Sequence, residues 1–141
     1  MTGAPVESSV ELRVRYAETD QMGVAYHGHY LVWCELARTE HMRRLGVRYR
    51  DMEATGVRLA VSEAQLRYLR PARYDDLLRV TAWLAEVGSR RVVFRYRVER
   101  PEDGVLLCTA ETALVSLDGG GRPARLPADA LATMRSMVSD A

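Results

Sequence analysis

The sequence predicts an α+β fold in which a curled antiparallel sheet of five strands wraps around one long buried helix. Three observations carry the prediction. A stretch with period-two alternation is followed by one long helical stretch and then by four more strand-like stretches. The connectors between those four are short and rich in turn residues, which implies antiparallel pairing. The first half of the helix is apolar nearly all round, so it needs cover on several sides, and one sheet must curl to give it.

Residues 10–16, VELRVRY, alternate apolar and charged side chains as a half-buried strand does. A polar loop follows. Residues 27–45 contain no proline and no glycine beyond Gly28, and Gly46 suits a helix C-cap, so this segment reads as one helix. Within it YLVWCELA is apolar except for Glu35, whereas RTEHMRR is charged. A shorter charged helix or turn over residues 48–54 ends at Gly56. The later strands are expected at residues 57–69, 77–87, 91–100 and 105–117. In the third of these Val92, Phe94, Tyr96 and Val98 share one side, and Arg91, Arg95, Arg97 and Glu99 the other. Pro127 suits the opening of a last helix that runs to about residue 137.

A chain of 141 residues fits one domain, residues 1–141, with 48% apolar and 28% charged residues typical of globular proteins. The net charge of +1 offers no global attraction to nucleic acid or an anionic membrane. All 20 basic residues are arginine. Without lysine there is neither a Schiff-base amine nor a phosphate-binding GK[ST] loop. The start, MTGAPVESSVE, lacks the basic and apolar runs of a signal peptide, and no apolar stretch is long enough to span a bilayer. Cys34 and Cys108 are isolated and read as reduced thiols, which fits a cytoplasmic location.

The chemistry concentrates in AETDQMGVAYHGHY, residues 17–30, which sets two carboxylates and two histidines between a strand and a helix. Asp20 is either a turn residue or a base. Gly23 permits a tight turn, and the helix beginning near His27 offers unpaired N–H groups at its positive end. A carboxylate beside such a helix end combines a base with an anion cradle, the pair of tools acyl transfer requires. A metal reading would use Asp20, His27 and His29, but i and i+2 side chains diverge on a helix, so no metal is expected. A cysteine nucleophile is disfavoured too. His27, Cys34 and His41 are spaced by seven residues, roughly 10 Å of helix rise, which is beyond hydrogen-bond reach.

YAETDQMGVAYH, followed by Tyr30, Trp33, Glu35, Ala37 and Arg38, resembles the signature of the 4-hydroxybenzoyl-CoA thioesterase family, and YLRPARYDD at residues 68–76 resembles its strand-to-strand turn. The resemblance runs from about residue 11 to about residue 125. It implies a hotdog fold, thioester hydrolysis at a subunit interface of a homodimer or homotetramer, and no cofactor beyond the coenzyme A of the substrate. By the same resemblance Asp20 is the catalytic aspartate, acting either as base on water or as nucleophile. His27 falls where the backbone N–H polarises the thioester carbonyl, its imidazole being either an auxiliary acid or a polar wall. Gly23 and Tyr26 belong to the same substrate-binding loop. The chain has Gln21 and His27-Gly28 where aromatic-substrate members have Pro and Tyr-Pro, and looks more like the aliphatic acyl-CoA branch associated with the Tol–Pal envelope system.

Arg90 and Arg91 begin the strand where family members dock coenzyme A phosphates, a role that guanidinium forks suit; an acidic acyl carrier protein is the alternative carrier. Glu63 interrupts an apolar stretch and either lines a neighbouring subunit's pocket or stands at an exposed edge. Two other readings of the same fold are a hydratase or dehydratase on acyl thioesters, and a non-enzymatic acyl-thioester binding module.

Overall fold

A computed structural model describes residues 5–138. Strand β1 (Glu7–Arg13) leads through a 3-10 turn (Tyr16–Glu18) and a loop into helix α1 (His29–Arg44) and the short helix α2 (Tyr49–Ala54). Strands β2 (Arg58–Tyr68), β3 (Leu77–Val87), β4 (Arg91–Arg100) and β5 (Val105–Leu117) follow, and helix α3 (Ala128–Ser136) comes last. The strands form one sheet in the order β1-β3-β4-β5-β2, with every neighbouring pair antiparallel.

Strands β3, β4 and β5 lie where their alternation predicts. Val92, Phe94, Tyr96 and Val98 are buried on the side turned to α1, where Phe94 meets the His41 ring and the Tyr96 hydroxyl accepts from Arg38. The register slips at Val61/Glu63, Leu84/Glu86 and Val98/Glu99. Each such bulge bends and twists its strand, and together they curl the sheet around the helix.

Helix α1 begins two residues later than its composition suggests, with Gly28 as N-cap. It ends in a Schellman motif: Val47 N–H donates to the Met42 carbonyl at 2.9 Å and Gly46 N–H to that of Arg43 at 3.1 Å, with Gly46 at φ +80°. Strand β1 lies three residues earlier than expected, because the chain from Tyr16 turns to serve Glu18.

The expected all-round burial of α1 is not met within one chain. Tyr30, Trp33, Cys34, Ala37, Arg38, His41 and Met42 face the sheet, yet Leu31, Val32 and Leu36 are 39%, 46% and 53% exposed. One sheet covers one side of a helix, and the remaining apolar side stays open. Strand β2, an edge of the sheet, has no buried residue, and Glu63 stands exposed at its bulge.

His41 is fully buried, with Nδ1 2.7 Å from the Ser8 hydroxyl and Nε2 without a partner among the described residues. Burial, aided by Arg44, lowers its pKa below the ordinary 6.5. The unfolded chain therefore binds the proton first, so stability is complete above pH 6.5 and falls as pH drops from there toward the folded value. Urea unfolding midpoints are expected to decline from pH 7 to about pH 5.5 in wild type and to flatten over that window in His41→Gln.

Candidate active site

The loop after β1 is a tight hairpin. Asp20 N–H donates to the Val24 carbonyl at 2.9 Å and Gly23 N–H returns to the Asp20 carbonyl at 3.0 Å, with Gly23 at φ +79°. This is a turn closed by a left-handed residue, the position that needs glycine. Asp20 Oδ1 accepts the Met22 N–H at 2.8 Å. Its Oδ2 takes no hydrogen bond from the described residues. One carboxylate oxygen thus builds the turn and the other is available, so the turn residue and the base are compatible roles.

A buried carboxylate that the sequence reading did not single out holds this hairpin in place. Glu18 is only 4% exposed. Its Oε1 accepts the Arg15 N–H at 2.8 Å, its Oε2 accepts Trp33 Nε1–H of α1 at 3.0 Å, and its carbonyl accepts the Tyr26 N–H at 2.8 Å. The available signal was Trp33: an indole N–H in an apolar helix face needs an acceptor, and Glu18 and Asp20 are the two acids in the loop before it. Burial alone would raise the Glu18 pKa, but the Arg15 main-chain N–H, the indole and the Arg15 guanidinium outweigh it and lower the pKa below the ordinary carboxylate value. Glu18→Ala leaves two donors unsatisfied and is expected to cost about 2–4 kcal/mol in urea denaturation.

At the start of α1, His29 N–H donates to the Tyr26 carbonyl at 3.0 Å and Tyr30 N–H to that of His27 at 3.4 Å. The N–H groups of His27 and Gly28 have no acceptor among the described residues. Asp20 and His27 line one cleft of about 310 Å³, whose apolar wall includes Met22, Tyr30, Leu69 and Pro71. Tyr68, from the end of β2, also lines it and donates its hydroxyl to the His27 carbonyl at 2.9 Å.

The other expected site residues lie apart from that cleft. Gly23 borders a second concavity on the far side of Asp20, beside Tyr16 and Tyr74. The Tyr26 ring packs on the His27 ring at 4.3 Å and over Gly28, where an added Cβ would stand 3.1 Å from it. Arg90 and Arg91 are exposed at the β3–β4 turn. Leu77 opens β3 opposite Arg13, near the hairpin, and Val87 closes it opposite Val92. A whole strand, about 30 Å, separates the arginines from Asp20 in one chain.

Other chemistries find less support. Burial pushes the Cys34 thiol up to about 12, with Cys108 adding to the shift, and the Cys108 thiol up to about 11. Both are protonated at neutral pH and are poor nucleophiles. No group of three His, Cys, Asp or Glu side chains among the described residues is placed to hold a metal ion. A larger concavity, about 450 Å³, crosses the sheet near Trp83, but its Arg95 pairs with Glu111 and its Arg97 with Glu7. Among the described residues no helix is long and apolar enough to cross a membrane.

The family description "Thioesterase-like superfamily" matches residues 14–134, from the end of β1 into α3. The chain belongs to the thioesterase-like superfamily. It is 42% identical to the hypothetical protein TT1821 from Thermus thermophilus, whose crystal structure superposes with a TM-score of 0.87 over 94% of this chain and 98% of that one. The DHNA-CoA thioesterase from Staphylococcus aureus is 35% identical, with a TM-score of 0.81 over 84% of this chain and 80% of that one. The acyl-CoA thioesterase YbgC of Haemophilus influenzae (strain ATCC 51907 / DSM 11121 / KW20 / Rd) is 32% identical over 130 residues, 92% of this chain and 95% of the relative. The architecture is the hotdog fold, with α1 as the helix packed against the curled sheet.

Proposed function

We propose that this superfamily member is a cytoplasmic acyl-CoA thioesterase that releases a free acid and coenzyme A, with straight-chain aliphatic acyl groups as its substrates. The observation that carries the reading is the shared cleft: Asp20, with one carboxylate oxygen free among the described residues, lines it together with His27, whose N–H finds no acceptor among them. Asp20 activates water, or attacks the thioester carbon itself, while the N–H groups of His27 and Gly28 hold the oxyanion that forms. In the base route the water proton goes to Asp20 and then to the departing coenzyme A thiolate; in the nucleophile route the thiolate leaves as a mixed anhydride forms on Asp20, and water then cleaves that anhydride to the free acid, its proton going to the thiolate, so neither route needs a reagent beyond water. The apolar cleft wall of Met22, Leu69 and Pro71 suits an alkyl chain.

The working unit in this reading is a homo-oligomer, a dimer or a tetramer built from dimers. The open apolar side of α1 and the unburied edge β2 support it. Two copies paired antiparallel along β2 about Glu63 would bring the partner's β3–β4 turn beside this chain's cleft. Arg90 and Arg91 of each copy would then hold the phosphates of coenzyme A, or an acidic acyl carrier protein, bound at the other.

Free-thiol release from acetyl-, butyryl-, octanoyl-, palmitoyl- and benzoyl-CoA tests the proposal. Higher kcat/KM for straight-chain members than for benzoyl-CoA is expected. A preference for benzoyl-CoA overturns the aliphatic assignment, and silence on every thioester overturns the enzyme reading in favour of a binding module.

A further inference from the structure

We propose that Tyr68 is a positioning residue for the oxyanion cradle: its hydroxyl, by donating to the His27 carbonyl, orients and polarises the peptide whose N–H, that of Gly28, meets the reacting carbonyl. The inference rests on the thioesterase reading and adds to it a residue outside the loop and helix that carry the chemistry.

The amide is a rigid plane with its C=O and N–H on opposite sides, so fixing the oxygen fixes the direction of the hydrogen. The His27 carbonyl has two donors, Tyr68 at 2.9 Å and Tyr30 N–H at 3.4 Å, and the hydroxyl makes the shorter contact. A hydrogen bond accepted at the oxygen also strengthens the donor at the other end of the same amide, by roughly 10–30% in a chain of such bonds. The Tyr68 ring is itself held, edge to face with Tyr30 at 5.0 Å and with the His27 ring at 6.2 Å. Tyr30 in turn accepts the Ala72 N–H at 3.2 Å. Burial, with smaller contributions from Cys108, Tyr30 and Cys34, raises the Tyr68 phenol above its ordinary value, so it keeps the proton it donates at neutral pH.

Tyr68→Phe removes one oxygen from a half-exposed ring and leaves the packing in place. Its kcat for the best substrate of the panel is expected to fall about fivefold to tenfold, the loss of one hydrogen bond, with KM within about twofold of wild type. The second readout needs no turnover. Octanoyl-CoA isotope-labelled at its thioester carbonyl is bound to Asp20→Asn and to Asp20→Asn with Tyr68→Phe, and the carbonyl stretch is followed by infrared difference spectroscopy. A smaller red shift in the double variant, with the lowered kcat, supports the role. An unchanged red shift, a wild-type kcat, or a raised KM with kcat intact overturns it, the last making Tyr68 a pocket wall. Failure of the hydrolase reading shows separately, as absence of thiol release from wild type.

Discussion

Asp20→Asn is expected to lower kcat by at least about two orders of magnitude in thiol-release assays while the protein melts within a few degrees of wild type. The hydrogen bonds explain the pairing of a large kinetic loss with a small structural one. Asparagine keeps the acceptor that Met22 N–H uses at 2.8 Å, so the turn survives. It puts an amide NH₂ where the free carboxylate oxygen stands, which removes both a base and a nucleophile. Asp20→Ala deletes the turn acceptor as well and is expected to lose stability together with activity. Wild-type turnover by Asp20→Asn would remove Asp20 from the mechanism.

If two copies associate through the open side of α1 as proposed, Leu36→Glu is expected to leave single chains in sedimentation velocity and to abolish most hydrolysis. Leu36 is 53% exposed on the side of α1 that the sheet leaves open, one turn from the 46% exposed Val32. Taking a leucine out of an apolar contact costs about 1.5–3 kcal/mol, and an unpaired carboxylate buried in its place costs more. In a two-fold interface each substitution counts twice, so the dissociation constant should rise at least about a hundredfold. Activity falls with it if Arg90 and Arg91 serve the cleft of the neighbouring copy. A Leu36→Glu chain that sediments and hydrolyses as wild type does would place the interface elsewhere.

Much of the fold was legible because short turn-rich connectors bracket β3, β4 and β5 and β4 alternates clearly, and their bounds match the expected ones. The misplacement of β1 had a specific cause. Alternation continues through Tyr16, but the main chain leaves the sheet after Arg13 because Glu18 draws the Arg15 N–H to its side chain, a tertiary contact that overrides the local pattern. The helix was correctly found and incorrectly covered, since a composition that demands burial does not say whether one chain or two supply it. For the site, the motif led to Asp20 and His27, which do line one cleft. Glu18 and Tyr68 escaped notice because their roles arise from contacts with Trp33 and His27 that lie 15 and 41 residues away. The distance between Arg90 and Asp20, by contrast, follows from strand direction alone and was open to deduction once antiparallel order was assumed.

The hairpin carrying Asp20 is fastened to β1, and Tyr68 belongs to β2, so the two outermost strands of the sheet meet at the first turn of α1. At that end the sheet is a closed belt with the helix start as its buckle; at the other end no such fastening joins the edges among the described residues. Any change in curl, from a substitution at a bulge or from pressure on either edge, is therefore delivered to the spacing between Asp20 and the His27 peptide. Tolerance to mutation should accordingly vary along each edge strand, lowest near the buckle and rising toward the open end, even among side chains that never approach the cleft.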